Sequence, residues 1–261
     1  MLNKTVFERY SVSAQIHEND WGVVYTGKDT QTNQAIHLTV IKSEIIPTAD
    51  FLSRFKSMPQ SNSAHAVKPL EVGEVDGRAV IVWEGVEGKS LADLTSDGIG
   101  LPLERCLDLA AQLGSHLEAL HNQKVMQGVF LPEDIFLSDE NALRILNLGV
   151  WGAISSKSVS TPAKRHAPEL MRGEHESVRS DIYSLGTLLF KILTGQAPES
   201  DPFPSSVRAD IPMDWDELIA KCMNPDPAKR VQSAAEFLGK LDEMKRATRL
   251  AKGNPLGMED S

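Results

Sequence analysis

Four serines, Ser155, Ser156, Ser158 and Ser160, stand together in a polar stretch at 150–160. An active kinase could phosphorylate their hydroxyls, each gaining a charge of about −1.5 to −2. The same composition suits a plain polar loop, and both readings stay open. Trp151, within the stretch, is either an exposed anchor for a partner or a packed loop residue. Cys106 and Cys222 are the only cysteines. Each sits in an apolar stretch with helical spacing, so buried thiols in a reducing compartment are expected rather than a disulfide. Lys and Arg number 27 against 36 Asp and Glu, a net charge of −9 with no block of one sign. Binding to nucleic-acid phosphates needs clustered cations, so no nucleic-acid partner is expected.

The elements that would position chemistry divide into two kinds. Residues 10–16 and 21–26 are short apolar runs around the polar loop His17, Glu18, Asn19 and Asp20. A turn at 29–33 leads to 35–42, where alternation is imperfect. Phe51, Leu52, Phe55 and Met58 have helical spacing that Pro59 ends. Strands at 70–73 and 79–84 follow, joined by a turn at Asp76 and Gly77. After 84–88 the pattern turns helical. Leu103, Cys106, Leu107, Ala110, Leu113, Leu117 and Leu120 form an amphipathic stripe with Pro102 at the first helical position. A small strand pair is expected at 135–137 and 143–146, and a buried helix at 181–193 stopped by Gly195. Ser233 and Glu236 have the spacing of a capping box. With 41% hydrophobic residues, no signal-like leader and no run of about 18 apolar residues, a cytoplasmic protein without a membrane span is expected.

Four stretches then appear in order: Ala167-Pro168-Glu169, the segment Arg179 to Gly186 with Asp181, Leu193-Thr194-Gly195, and Asn224 to Arg230. On these, over 10–245, the chain resembles the protein kinase family, bacterial serine/threonine kinases in particular. The resemblance implies an α+β, bilobal protein-kinase-like fold. It has an N-terminal antiparallel β-sheet lobe with one short helix (10–84) and a larger, mainly helical C-terminal lobe (85–249). Residues 250–261 would be a polar tail or linker. Structural roles follow by resemblance: Glu169 and Arg230 as a buried ion pair, and Asp181 as acceptor for catalytic-loop amides.

Phosphoryl transfer needs a glycine-rich loop, a lysine held by a glutamate, a base and metal ligands. By resemblance the glycine positions fall on His17, Asn19 and Gly22, of which only Gly22 is glycine. Counting from Val24 puts Thr39 in the lysine position, with Lys42 facing the opposite way unless a bulge restores it. The glutamate position falls near Met58. The catalytic loop matches Gln127 to Asp134, so Val129 replaces the base, Leu131 the lysine, and Gly128 the arginine that reads loop phosphorylation. The metal-binding asparagine becomes Asp134 and the metal-binding aspartate becomes Asn147, followed by Leu148 and Gly149. His37, Trp83 and Phe136 fall where the adenine pocket would be and are expected to pack together and fill it.

These substitutions imply a catalytically degenerate pseudokinase that is not an enzyme. It would serve as a scaffold or conformational regulator for a protein partner that the sequence does not identify. An active kinase acting on the four serines is one such partner. No cofactor or metal is expected beyond weak binding of ATP and magnesium, for which Lys42 and Asp134 are the residual candidates. The alternative is a nucleotide-binding enzyme of kinase fold with unusual transferase chemistry using Asp134, with Glu133, Lys42, His17 or Glu18 beside it.

Overall fold

The computed structural model describes residues 1–59, 61–154, 166–199 and 203–253, with side chains through residue 247. Ser155, Ser156, Ser158, Ser160 and the end of the tail lie outside the described residues. The N-terminal lobe contains β1 (Thr5–Val6), β2 (Tyr10–Glu18), β3 (Gly22–Asp29), β4 (Ala35–Ile41), α1 (Thr48–Ser57), β5 (Pro69–Val75) and β6 (Arg78–Glu84). Its strands form a six-stranded antiparallel sheet in the order β1-β2-β3-β4-β6-β5. The inner strands β4 and β6 are covered on both faces, which is why hydrophobic alternation is blurred there. Ile36, Leu38, Val40, Val80 and Val82 pack with Tyr10 and Tyr25 on one face. Ile41, Ile81 and Trp83 pack on the other with Phe51 and Phe55 of α1. Thr39 shares that second face by alternation and pairs in register with Val24 and Ile81.

The C-terminal lobe follows with β7 (Lys89–Ser90), α2 (Leu91–Leu94), α3 (Leu103–Asn122), β8 (Ile135–Leu137), β9 (Leu143–Ile145), α4 (Val150–Ala153) and α5 (Pro168–Met171). Then come α6 (Val178–Thr194), α7 (Pro204–Val207), α8 (Met213–Cys222) and α9 (Ala234–Gly253). The fold is thus α+β and bilobal. Leu109, Leu113 and Leu117 of α3 pack with Ile182, Leu185 and Leu189 of α6 and with Phe237 and Leu241 of α9 in one apolar core. Ser177 and Ser180 close a capping box at the start of α6, and Gly195 ends it at a left-handed φ of 76° that glycine adopts without strain. Both cysteines are buried free thiols. Among the described residues, no helix is long and apolar enough to cross a membrane.

One expected boundary shifts and one expected cap differs in detail. Pro102 sits just before α3 as its cap rather than in its first position, because its extended ψ of 139° keeps it outside the helix. The Ser233 hydroxyl accepts the Glu236 amide as expected, but the Glu236 carboxylate turns back to the Gln232 amide at 2.9 Å.

One ion pair joins three separated segments of the lobe. The Arg230 guanidinium donates to both Glu169 oxygens at 2.5 and 2.7 Å, to the Asn224 carbonyl at 2.6 Å and to the Arg179 carbonyl at 2.9 Å. Both side chains are buried. Removing one partner strands the other charge, so Arg230→Met or Glu169→Gln alone should cost about 3–5 kcal/mol in urea unfolding. Replacing both with apolar residues, Arg230→Met with Glu169→Leu, should cost less than either single change, because no charge is then left unpaired.

Candidate functional site

The loop that leads into the cleft is fixed from beneath by α6. The buried Asp181 carboxylate accepts the backbone amides of Gln127 (2.9 Å) and Gly128 (2.8 Å) and contacts His121 Nε2 at 2.8 Å. One turn on, the Ser184 hydroxyl accepts the Phe130 amide at 2.7 Å. Gly128 has a φ of +81°, and a Cβ there would lie 2.4 Å from the Trp151 ring. The glycine therefore makes room for Trp151, which is buried against it and against His166, ring centroids 4.6 Å apart. Trp151 is a packed residue, not an exposed anchor.

Across the cleft runs a chain of buried polar groups. Trp83 Nε1 donates to the Thr39 hydroxyl at 3.0 Å, which donates to Asn147 Oδ1 at 2.5 Å. Asn147 Nδ2 donates to Asp134 Oδ1 at 2.8 Å, and His17 Nε2 lies 2.9 Å from the same oxygen. Only one orientation of the Asn147 amide satisfies both neighbours, so the chain has a fixed direction. Asn147 has a φ of +60°, a left-handed conformation that asparagine tolerates better than most residues. Burial disfavours a charged His17, but its contact with Asp134 and the charges of Asp134 and Glu133 outweigh this, and its pKa is raised. Burial also lifts the Asp134 carboxyl above the ordinary range, against the opposing pull of His17 and Asn147.

The structure brings most of the sequence-derived positions around this chain. Asn19, Val129, Leu131, Glu133, Asp134 and Asn147 line one cavity. Lys42 lies apart from it. Its ammonium donates to the Asn19 carbonyl at 2.7 Å and pairs with Glu18 at 2.7 Å, so it braces the β2–β3 loop. Gly22 pairs with Ile41 at the start of β3. Met58 reaches over Gly149 and Gly152. His37 and Phe136 meet with ring centroids 5.4 Å apart. The Val86 amide donates to His37 Nδ1 at 3.3 Å, and burial pushes the His37 pKa down to about 4. Trp83 shares a buried cluster with Phe136 and pairs across the strands with His37. A buried indole N–H needs an acceptor, and Trp83 finds it in Thr39 while its ring meets Phe55 edge-on at 6.0 Å.

Sequence reading missed a second buried chain. His116 on α3 contacts the Ser63 hydroxyl at 2.7 Å through Nδ1 and Gln127 Oε1 at 2.8 Å through Nε2. Oε1 can only accept, so Nε2 carries the proton and Nδ1 accepts from Ser63. The neutral imidazole thus joins the 61–66 loop to the first residue of the catalytic-loop segment. Nothing in sequence spacing signals it, since Ser63 and His116 are 53 residues apart.

ATP with magnesium, which the resemblance implies, does not fit these residues as they stand. Asp134 Oδ1 is shared by His17 and Asn147, the Thr39 hydroxyl is engaged on both sides, and the Lys42 ammonium is turned to the loop.

Comparison with known proteins places the chain. A protein kinase domain model matches residues 10–251. A probable serine/threonine-protein kinase of Clostridium perfringens is 26% identical over 271 residues, covering 94% of this chain and 40% of the relative. Serine/threonine-protein kinase PknB of Mycobacterium leprae is 26% identical over 260 residues, covering 88% of this chain and 42% of the relative. The chain therefore spans about 40% of the length of the curated relatives it matches. These matches correct the expectation that the chain is not an enzyme. The relatives are named as kinases and the kinase domain covers nearly all of the chain, which points to an enzyme.

The His116 chain gives a pH dependence of known sign. Burial pushes the His116 pKa down from 6.5 to about 4, so the unfolded state takes up a proton that the folded state refuses. Stability from this group is complete above pH 6.5 and declines as pH falls toward 4. The melting temperature of the wild type should therefore fall more steeply across that window than that of His116→Gln. Equal slopes would contradict the assignment.

Proposed function

Because the chain belongs to the protein kinase domain family, we propose that it works as a regulatory kinase domain of the pseudokinase kind, binding a protein partner through its kinase-like surface and changing conformation with it. The observation that carries this reading is the chain Thr39–Asn147–Asp134. By resemblance these positions pair phosphate and hold metal. Here they are bonded to one another, and valine and leucine, at 129 and 131, stand where a base and a lysine would act. A cleft satisfied in this way suits a domain that changes conformation with a partner, with ATP and magnesium bound weakly. The partner is a protein, with an active kinase acting on Ser155, Ser156, Ser158 or Ser160 as the candidate, in a cytoplasmic setting.

The kinase relatives point to an enzyme, and a second reading, which Asp134 favours, concerns the kind of chemistry such an enzyme would perform. A carboxyl buried at the centre of the cleft, with its pKa lifted by burial, is suited to proton transfer in an unusual transferase reaction on a nucleotide.

Thermal melting in several millimolar ATP with Mg²⁺, Mn²⁺ or EDTA separates the two. A ligand at one hundred times its dissociation constant stabilises the fold by about 2.7 kcal/mol. The first reading predicts a shift well below that in every condition. A large metal-dependent shift would put the second reading first.

A further inference from the structure

We propose that residues 17–21 form an autoinhibitory strap, latched across the cleft by His17 on Asp134, that excludes a metal–nucleotide from the space it covers. The proposal rests on reading the cleft as a site derived from nucleotide binding.

The strap is built to hold one shape. The Asn19 side-chain oxygen accepts the amides of Trp21 (3.2 Å) and Gly22 (2.9 Å), and the Asn19 amide donates to the Gly22 carbonyl at 3.0 Å. The Lys42 ammonium ties the strap to the end of β4 through the Asn19 carbonyl and Glu18, and the Lys42 amide donates to the Trp21 carbonyl at 2.9 Å. Trp21 is buried with Val24 and Ile41, an apolar anchor for the same turn. The residue that looked like a phosphate-pairing lysine thus serves to hold the loop down.

Two features mark His17 as a latch rather than a passive contact. The pairing of β2 with β3 slips between Gln15 and His17. Such irregularities re-aim a side chain, and this one leaves His17 directed at the opposite lobe. Both its ring nitrogens are buried without a hydrogen bond of good geometry among the described residues, and Nε2 meets Asp134 Oδ1 at 2.9 Å as an ion pair. An unsatisfied buried polar atom is destabilising, so the His17 contact is weaker than a fully paired one. A side chain that alternates between two positions tolerates the defect in one of them. In the latched form Asp134 Oδ1 has two neighbours, and release of His17 leaves it only Asn147. A cation approaching Asp134 Oδ1 would have to compete with His17 for it.

Two variants attack the latch from opposite sides, His17→Ala from the strap and Asp134→Asn from the floor. Each is followed by amide hydrogen exchange of residues 17–22 and by melting with Mn²⁺ alone and with Mn²⁺ and ATP. The proposal expects faster exchange of the strap in both variants, and no further increase in the double variant, since both remove one contact. If the latched form holds about 90% of molecules, His17→Ala should bind Mn²⁺–ATP about tenfold more tightly, because binding is weakened by the fraction that is closed. Unchanged strap exchange in His17→Ala would overturn the latch whatever the nucleotide does. Faster exchange with no nucleotide shift in any variant would uphold the latch and remove the nucleotide-derived reading of the site.

Discussion

A carboxylate buried between two lobes must be neutralised or hydrogen-bonded, and the arrangement of this cleft follows from how Asp134 meets that demand. An unpaired charge in such a place is destabilised by several kcal/mol, about the whole margin by which a domain is stable. Asp134 therefore recruits His17 from the loop above and Asn147 from the segment beside it. The amide of Asn147, once committed through its nitrogen, needs a donor for its oxygen, and Thr39 supplies it. The threonine oxygen in turn accepts the indole N–H of Trp83, whose ring would otherwise bury an unsatisfied donor. One requirement thus propagates from the floor of the cleft to the central strands of the sheet. Asp134, Asn147, Thr39 and Trp83 thus form a single connected unit.

The frame around this unit is set by a different set of buried charges. Asp181 holds two amides of the loop before Asp134, and Arg230 joins Glu169 to two other segments. These groups shape the backbone and leave the choice of cleft side chains open. Folding depends on Asp181, Glu169 and Arg230, whereas the cleft needs only a self-consistent set of donors and acceptors.

The fold was legible because its signals are local or periodic. The short apolar runs of β4 and β6, the stripe on α3, the apolar run of α6 and the stop at Gly195 each appear within a few residues of sequence. The positions around the cleft were legible only through motif spacing, which tells what stands at a place and not what it touches. Trp83 was therefore assigned to a cluster with His37 and Phe136, while the bond of its N–H to Thr39 went unseen. The role of Lys42 as a brace, the His17 contact and the Ser63–His116–Gln127 chain join residues far apart along the chain. Such pairings leave no trace in periodicity. Nor do missing residue types decide what a family member does, as the kinase relatives made plain for the question of enzyme or non-enzyme.

The central claim is that Thr39 and Asn147 act as one bonded unit, and a double-mutant cycle tests it most directly. Urea unfolding of Thr39→Val, Asn147→Leu and the double variant gives their coupling energy. The account predicts coupling of about 1 kcal/mol or more, because each single change strands the other's polar atom and the double change does not. Additivity within about 0.3–0.5 kcal/mol would mean that the two side chains do not depend on each other, and would contradict the account.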